Sequence, residues 1–189
     1  MRIISCSVLV TVLFLAACKQ PAKKSSPGGL DELAKEVRKN SPGANAGSGH
    51  FSIVPAEGWT KLDTSIMGLN CTFISSRLDS EKDHFRENLN VVTEHCGSMG
   101  LDEYYAAAVS NMETLSGFKL GKVSDKSIGG TEFKNVKYSH VYSGIPVEVD
   151  LYITVKEGIA YLITCSALSG EMEKWGPRFE AMVTSFSVR

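Results

Sequence analysis

The chain has 189 residues, with 20 basic and 21 acidic side chains and a formal net charge of −1 at pH 7. This length is enough for one domain with a proper hydrophobic core. The near-neutral charge, without a basic cluster after Lys39, excludes the positive face that nucleic-acid binding needs, so we expect no nucleic-acid partner.

The first 17 residues are predicted to be a secretory signal. Arg2 supplies a positive charge, and residues 3–17 are almost entirely apolar. This apolar stretch is shorter than the roughly 20 residues that a membrane-spanning helix needs. We therefore interpret residues 1–17 as a signal peptide and not as a transmembrane anchor.

The end of this signal carries a second feature. Residues 15–18 read Leu-Ala-Ala-Cys, which resembles the lipobox of bacterial lipoproteins. The resemblance implies that the chain is cut before Cys18 and that Cys18 is acylated, which would anchor the protein in a lipid bilayer. Lys19 replaces the Asp associated with inner-membrane retention, so the resemblance implies a periplasm-facing envelope protein, on the outer membrane if the source is Gram-negative. The alternative is an ordinary secretory signal beside an incidental cysteine.

Residues 18–49 are predicted to be the lipidated cysteine followed by a flexible tether. Pro, Gly and Ser interrupt this polar segment before and after residues 30–39, so it cannot bury enough surface to order itself. Between the breaks, Leu30, Leu33 and Val37 have the spacing of a short helix. Such a helix would be either a partly ordered spacer or a docking element for a partner.

Residues 50–189 are predicted to form one globular domain of antiparallel strands. Strands are expected over residues 50–54, 70–77, 87–95, 118–123, 132–142, 146–156 and 159–167. Turns are expected at residues 78–84, 127–131, 143–144 and 157–158. A two-residue turn at 157–158 would place Ile153 opposite Leu162 and so fix the register of the last hairpin.

Two helices are predicted beside these strands. Residues 101–115 have apolar side chains at three- and four-residue steps, and Gly117 ends the pattern. The second helix is expected to begin with Pro177 in its first turn, after Met172 and Trp175. Because both faces of the strands carry apolar residues, the predicted fold class is α+β, an antiparallel sheet flanked by helices on both faces.

Four short segments resemble domains of the Mog1/PsbP-like group, which includes the DUF1795/DcrB-like proteins. They are Phe-Ser-Ile-Val-Pro-Ala-Glu-Gly-Trp at 51–59, Asn-Leu-Asn-Val at 88–91, the strand at 160–167 and the closing segment 179–186. The resemblance covers residues 50–188. It implies an antiparallel sheet flanked by helices and an accessory or binding role without catalysis.

Three cysteines remain once Cys6 and Cys18 are set aside. Cys71 and Cys96 lie nearly symmetrically about residues 83–84, so an antiparallel hairpin could bring them together as a disulfide. The alternative is that the thiols are simply buried, as cysteines often are. Cys165 is interpreted as a small apolar filler of a core strand.

Catalytic and metal sites are not predicted. Gly-Ser-Met-Gly at 97–100 lacks the spacing of a serine-hydrolase elbow. His84, His95, Cys71 and Cys96 lack paired metal-ligand spacing, and the adjacent His95 and Cys96 should point to opposite faces of a strand. We therefore expect no catalytic residue, no metal and no cofactor, and a protein that is not an enzyme.

Three functional hypotheses follow. The first is a membrane-anchored, non-catalytic interaction module with an envelope protein as its partner. The second is a periplasmic carrier that holds a small hydrophobic ligand between sheet and helix, with Trp59, Tyr104 and Tyr105 near the opening. The third is an enzyme whose site has no recognisable motif.

Overall fold

The computed structural model of the chain describes residues 51–66, 69–78, 83 and 85–189. The predicted signal peptide, Cys18, the tether and its short helix lie outside the described residues. In the part of the chain that is described, no helix is long and apolar enough to cross a membrane.

The described residues form nine strands and two helices, and every strand pairing is antiparallel. The strands are β1 (Phe51–Ser52), β2 (Thr60–Ile66), β3 (Leu69–Ser75), β4 (Asn88–His95), β5 (Lys119–Ile128), β6 (Thr131–Tyr142), β7 (Ile145–Lys156), β8 (Ile159–Leu168) and β9 (Ser187–Val188). The helices are α1 (Leu101–Met112) and α2 (Met172–Thr184). Seven strands form one sheet in the order β2-β3-β4-β8-β7-β6-β5, and β1 pairs with β9 separately.

Two-residue turns join the last four strands of the large sheet into a meander. Glu157 and Gly158 have φ angles of 53° and 74°, as both central residues of a type I′ turn require. The turn places Ile153 opposite Leu162, which confirms the register predicted from the sequence. The two preceding hairpin turns also have positive φ at both residues.

Each face of the large sheet is covered by one helix, so we call them the α1 face and the α2 face. Successive residues of a strand point to opposite faces, and the strands therefore feed two separate cores. The core on the α1 face includes Tyr104, Ala108, Met112, Val136, Tyr138, Val147, Val149, Leu151, Ile153, Ala160 and Leu162. The core on the α2 face includes Phe51, Ile74, Leu89, Val91, Phe133, Tyr161, Ile163, Cys165, Trp175, Phe179, Met182, Val183 and Phe186. The predicted α+β fold, with helices on both faces, is confirmed.

A partly buried polar pair connects α1 to the sheet. The hydroxyl of Tyr104 on α1 donates a hydrogen bond to the carboxylate of Glu94 on β4. Burial raises the pKa of Glu94, and the hydrogen bond from Tyr104 opposes that rise. The contact between α1 and β4 therefore contains a group whose charge depends on pH.

The first strands differ from the sequence prediction. The strand expected over 50–54 ends at Ser52, and it pairs with β9 and not with the large sheet. The backbone N–H of Val54 donates instead to Ser185 Oγ at 2.9 Å. β2 was not predicted, because Leu62 and Ile66 are its only apolar residues and its sequence lacks the alternation of a strand.

Two element ends in the middle of the chain also differ. α1 ends at Met112 and not at residue 115, because the N–H of Leu115 bonds to Met112 O at 2.9 Å and tightens the chain into a turn. β5 continues to Ile128, through the first part of the turn expected at 127–131. The turn itself needs no more than the two glycines at 129 and 130, both with positive φ.

Pro177 lies inside α2 and not in its first turn, so the helix begins earlier than predicted. Proline removes one helical hydrogen bond, whose acceptor would be the carbonyl of Glu173. Both residues are on the exposed side of α2, where water can solvate that carbonyl. Burial of Trp175, which is 6% exposed, favours the earlier helical start.

Candidate functional site

The helices leave the outer strands of the α2 face open. A groove of about 290 Å³ lies between strands β5, β6 and β7 and the first residue of α2. We call it the charged groove; it is lined by Lys119, Leu120, Gly121, Lys137, Tyr138, Ser139, Glu148, Val149, Asp150 and Met172.

Positive and negative charges occupy different strands of the charged groove. Lys137 on β6 lies opposite Asp150 on β7, and Ser139 lies opposite Glu148. On the other side of β6, Lys119 of β5 lies opposite Ser139. The lysines thus belong to the two outer strands and the carboxylates to β7, which gives the charged groove a charge gradient across the sheet.

Asp150 is held in place by three side-chain donors. Lys137 Nζ lies 2.6 Å from Asp150 Oδ2, and the hydroxyl of Tyr152 donates to the same oxygen at 3.3 Å. Asn135 Nδ2 donates to Asp150 Oδ1. Burial, followed by the negative charge of Asp150, raises the pKa of Tyr152, so this hydroxyl stays a proton donor at neutral pH.

Glu148 positions the wall of the charged groove that belongs to α2. Its Oε1 accepts a hydrogen bond from the backbone N–H of Gly170 at 3.1 Å, and Ser169 Oγ lies 3.5 Å away. These contacts fix the loop between β8 and α2. The loop in turn sets Met172, the one residue of α2 that lines the charged groove.

Cys165 lies beside this network but is not part of the open surface. Its position on β8 is opposite Asp150, and its side chain is fully buried. Burial, followed by the nearby charge of Asp150, raises the pKa of the Cys165 thiol. A buried thiol with a raised pKa is a weak nucleophile, which agrees with its interpretation as an apolar filler.

The charged groove is suited to binding a polar partner. Both oxygens of Asp150 already accept hydrogen bonds from protein donors, so this carboxylate is not arranged as a metal ligand. Across the described residues, no three His, Cys, Asp or Glu side chains form a group that could hold a metal ion. What the charged groove offers is exposed charge of both signs on a rigid sheet.

The structure does not bring Cys71 and Cys96 together as the expected disulfide. In the register of β3 and β4, Cys71 lies opposite Val92, four residues before Cys96. Four residues of a strand span about 13 Å, whereas a disulfide needs Cα atoms within about 7 Å. Both cysteines are buried and not bonded to each other. The two cysteines do not meet because the register of β3 and β4 is offset by four residues from the one that symmetry about residues 83–84 requires.

The aromatic residues proposed for a ligand opening do not share one. Trp59 packs against Trp175 and Phe179 on the α2 face, with ring centroids 5.8 and 5.7 Å apart. Tyr104 and Tyr105 belong to the core on the α1 face. The sheet therefore lies between them, and the arrangement expected for a hydrophobic-ligand carrier is not formed.

The histidine and cysteine of the rejected metal site point in different directions. His95 is exposed at the end of β4, while the adjacent Cys96 is buried on the α1 side. His84 lies outside the described residues. The predicted opposition of His95 and Cys96 is confirmed.

The charged groove was not predicted from the sequence. Its residues come from three strands and one helix, and each charged one looks like an ordinary solvent-facing residue of its own strand. The clearest signal was the alternation in β7, where Glu148, Asp150 and Tyr152 share one face. That pattern identifies an exposed polar row but not the lysines that face it.

Comparisons with known proteins identify the fold. The sequence matches no protein-family model and no curated protein. Among solved structures, PA94 of Pseudomonas aeruginosa, a protein of unknown function, is 15% identical with a TM-score of 0.57, covering 74% of this chain and 98% of that one. Cyanobacterial PsbP (CyanoP) of Synechocystis sp. PCC 6803 is 14% identical with a TM-score of 0.53, covering 79% of this chain and 98% of that one.

LpqN of Mycobacterium tuberculosis, a protein involved in cell envelope biogenesis, is more distant, at 12% identity and a TM-score of 0.47 over 73% of this chain and 82% of that one. At such identities a likeness speaks to the fold and not to the activity. The seven-stranded antiparallel sheet between two helices is the PsbP/Mog1-like fold that the sequence resemblance implied.

Proposed function

We propose that this chain is an accessory protein of the bacterial cell envelope, anchored by lipid on Cys18, which binds an envelope protein through the charged groove. Residues 1–18 support the anchoring part of the proposal, because they combine a short apolar signal with a lipobox-like end. A tether of about 30 residues would let the domain reach some tens of ångströms from the membrane surface.

One observation carries the binding part. The α2 face is closed by a helix over its centre, but on the outer strands Lys119 and Lys137 are exposed and Glu148 is partly exposed around a preformed groove. A protein interface gains specificity from such fixed, complementary charge. The hydrogen bonds to Asp150 hold this charge before a partner arrives, so little ordering has to occur on binding. The proposal includes no catalytic step.

The anchor is tested by the mass of the full protein recovered from membranes. A chain that begins at Cys18 and carries acyl groups is the expected result, and Cys18→Ala should remain unprocessed and unacylated. A mature chain without acyl groups would show that residues 1–17 are an ordinary secretory signal.

The groove is tested by crosslinking in intact cells and recovery of the anchored protein. Ser139→Trp fills the charged groove without changing its charge, and Ser110→Trp on the exposed side of α1 is the matched control. We expect a discrete envelope protein to be recovered with the wild type and with Ser110→Trp, and to be lost with Ser139→Trp. Equal recovery with both variants would exclude the charged groove as the binding site, and recovery of no discrete protein would contradict the interaction role.

A further inference from the structure

The outermost strand next to the charged groove has an unpaired edge. β5 has 10 residues, and among the described strands it pairs with β6 alone. The backbone N–H and C=O groups on its other side therefore point outward, in the arrangement that accepts an additional strand. We call this side the β5 edge.

The β5 edge exposes apolar side chains on the α1 face. Leu120 is 47% exposed and Val123 is 37% exposed, and they are two of the four large apolar residues exposed in the described chain. Their partners in β6 are Tyr138 and Val136, both in the core on the α1 face. Leu120 and Val123 thus extend that core to the rim of the sheet, where an added strand could cover them.

The β5 edge also carries an excess of positive charge. Lys119, Lys122 and Lys126 are exposed, and none of them forms an ion pair with another described residue. Asp125 does not neutralise them, because it is bound to Lys134 Nζ at 2.7 Å. Lys119 and Lys126 lie opposite β6 residues of the α2 face, so they share the side of the charged groove.

The opposite edge of the sheet lacks these properties. β2 is shorter, with 7 residues. Its acidic residue Asp63 is already bound, since Lys61 Nζ lies 3.4 Å away and the hydroxyl of Thr72 donates at 2.5 Å. The contrast shows that unpaired charge is a property of β5 and not of every edge in this fold.

We propose that the β5 edge binds an extended acidic segment of the envelope partner as an eighth strand of the sheet. Side chains of an added strand alternate between faces, so its carboxylates would meet the lysines on the α2 face and its apolar residues would cover Leu120 and Val123. The segment would lie along Lys119–Ile128, and its pairing would be most regular along Val123–Ile128, where the pairing of β5 with β6 is continuous beyond the bulge. A second copy of β5 is a poorer occupant, because it would bring a second set of unpaired lysines to the same edge. The proposal rests on the proposed function and names the kind of partner segment.

The test uses the full chain in detergent micelles and a blocked peptide of alternating glutamate and valine. The variant Lys122→Glu/Lys126→Glu leaves the lining of the charged groove unchanged. It should weaken peptide binding by roughly tenfold or more, because two attractive contacts become repulsive. The control Lys156→Glu/Arg189→Glu makes the same change in net charge at exposed positions away from β5, and binding should stay within about twofold. Equal weakening by both variants would mean attraction to overall charge and would overturn the proposal.

A second probe separates strand addition from charge attraction on the unaltered protein. Two forms of the same peptide carry N-methyl groups on alternate amides, each blocking one edge of the peptide strand. One form should lose binding and the other should retain it, and retention of binding by both forms would overturn the proposal. A failure here leaves the groove test with Ser139→Trp unaffected, because that variant does not alter the backbone of the β5 edge.

Discussion

Gly121 shapes the inner side of β5. It lies in a bulge between Leu120 and Val123, where the register with β6 shifts. A Cβ atom at this position would be 2.9 Å from the carbonyl oxygen of Lys137, closer than real Cβ atoms approach. Gly121→Ala should therefore push β5 away from β6 and lower the free energy of unfolding by about 1–2 kcal/mol, as overpacking does.

The same substitution at Gly176 should leave stability nearly unchanged. Gly176 lies inside α2, and a Cβ added there would meet nothing within 4 Å apart from its chain neighbours. Gly176→Ala removes the conformational penalty of glycine in a helix, about 0.8–1.0 kcal/mol, but the ring of Pro177 disfavours a Cβ on the residue before it, so the two effects oppose each other. The pair compares one chemical change at a position crowded by another strand and at a position that no other element approaches.

Urea unfolding of the full chain measures both effects. Trp59 and Trp175 contact each other in the core on the α2 face, with ring centroids 5.8 Å apart, so tryptophan fluorescence reports the loss of that core. For a slope of about 1–3 kcal/mol per molar urea, the midpoint should fall by roughly 0.5–1 M for Gly121→Ala and change by less than about 0.3 M for Gly176→Ala. A Gly121→Ala midpoint at or above that of the wild type would refute the crowding argument.

Three other changes test the core, the helix contact and the groove. Phe186→Ala should lower the free energy of unfolding by about 3–5 kcal/mol, because the ring is 3% exposed. Val54→Ala, at a residue 64% exposed, should lower it by less than about 0.5 kcal/mol. Equal losses in urea unfolding would contradict the assigned core. Because the pKa of Glu94 is raised above 4.5, the folded chain binds more protons than the unfolded one between 4.5 and the raised value, and stability falls as pH rises through that window. Glu94→Gln should flatten this fall, and an unchanged slope of unfolding free energy against pH would disprove the assignment. Asp150→Asn should lower the free energy of unfolding by about 1–3 kcal/mol, since the carboxylate accepts hydrogen bonds from three side chains. Lys137→Met should lower it by less than about 1 kcal/mol, because the Lys137 side chain is 49% exposed. The reverse order in urea unfolding would contradict the hydrogen-bond network.

The fold was predictable where local signals agree. In the last hairpin, strand alternation and a two-residue turn act on neighbouring residues, so the pairing of Ile153 with Leu162 followed from the sequence. Apolar residues on both faces of those strands required cover on both sides, and the two predicted helices supply it. The predicted start of α2 was wrong because proline favours the first turn of a helix, and here the burial of Trp175 outweighs that local preference.

The candidate site depends on distant pairings that local patterns do not contain. Lys119, Ser139 and Glu148 meet in one row across β5, β6 and β7, and the bulge in β5 shifts that row by one residue. The expected disulfide failed for a related reason, since symmetry about a loop does not determine the register of the two strands that the loop joins. The pairing register is set by the whole sheet. Alternation in the sequence fixes which face each side chain occupies, but a shift of two residues along the strand preserves that alternation, so the sequence pattern alone does not determine the register.

The pairing of β1 with β9 bears on the order in which the chain folds. Ser52 and Ser187 are hydrogen-bonded at 2.8 Å although 135 residues separate them, so closing this contact costs more chain entropy than closing any hairpin of the meander. The hairpins can form while the chain is still emerging from a ribosome or a translocation pore, but β1 must wait for its partner near the C-terminus. Phe51 likewise reaches its stacking partner Phe186 at the end. The core on the α2 face is thus completed after the last residues are delivered, and a chain cut short before β9 would keep part of that core open.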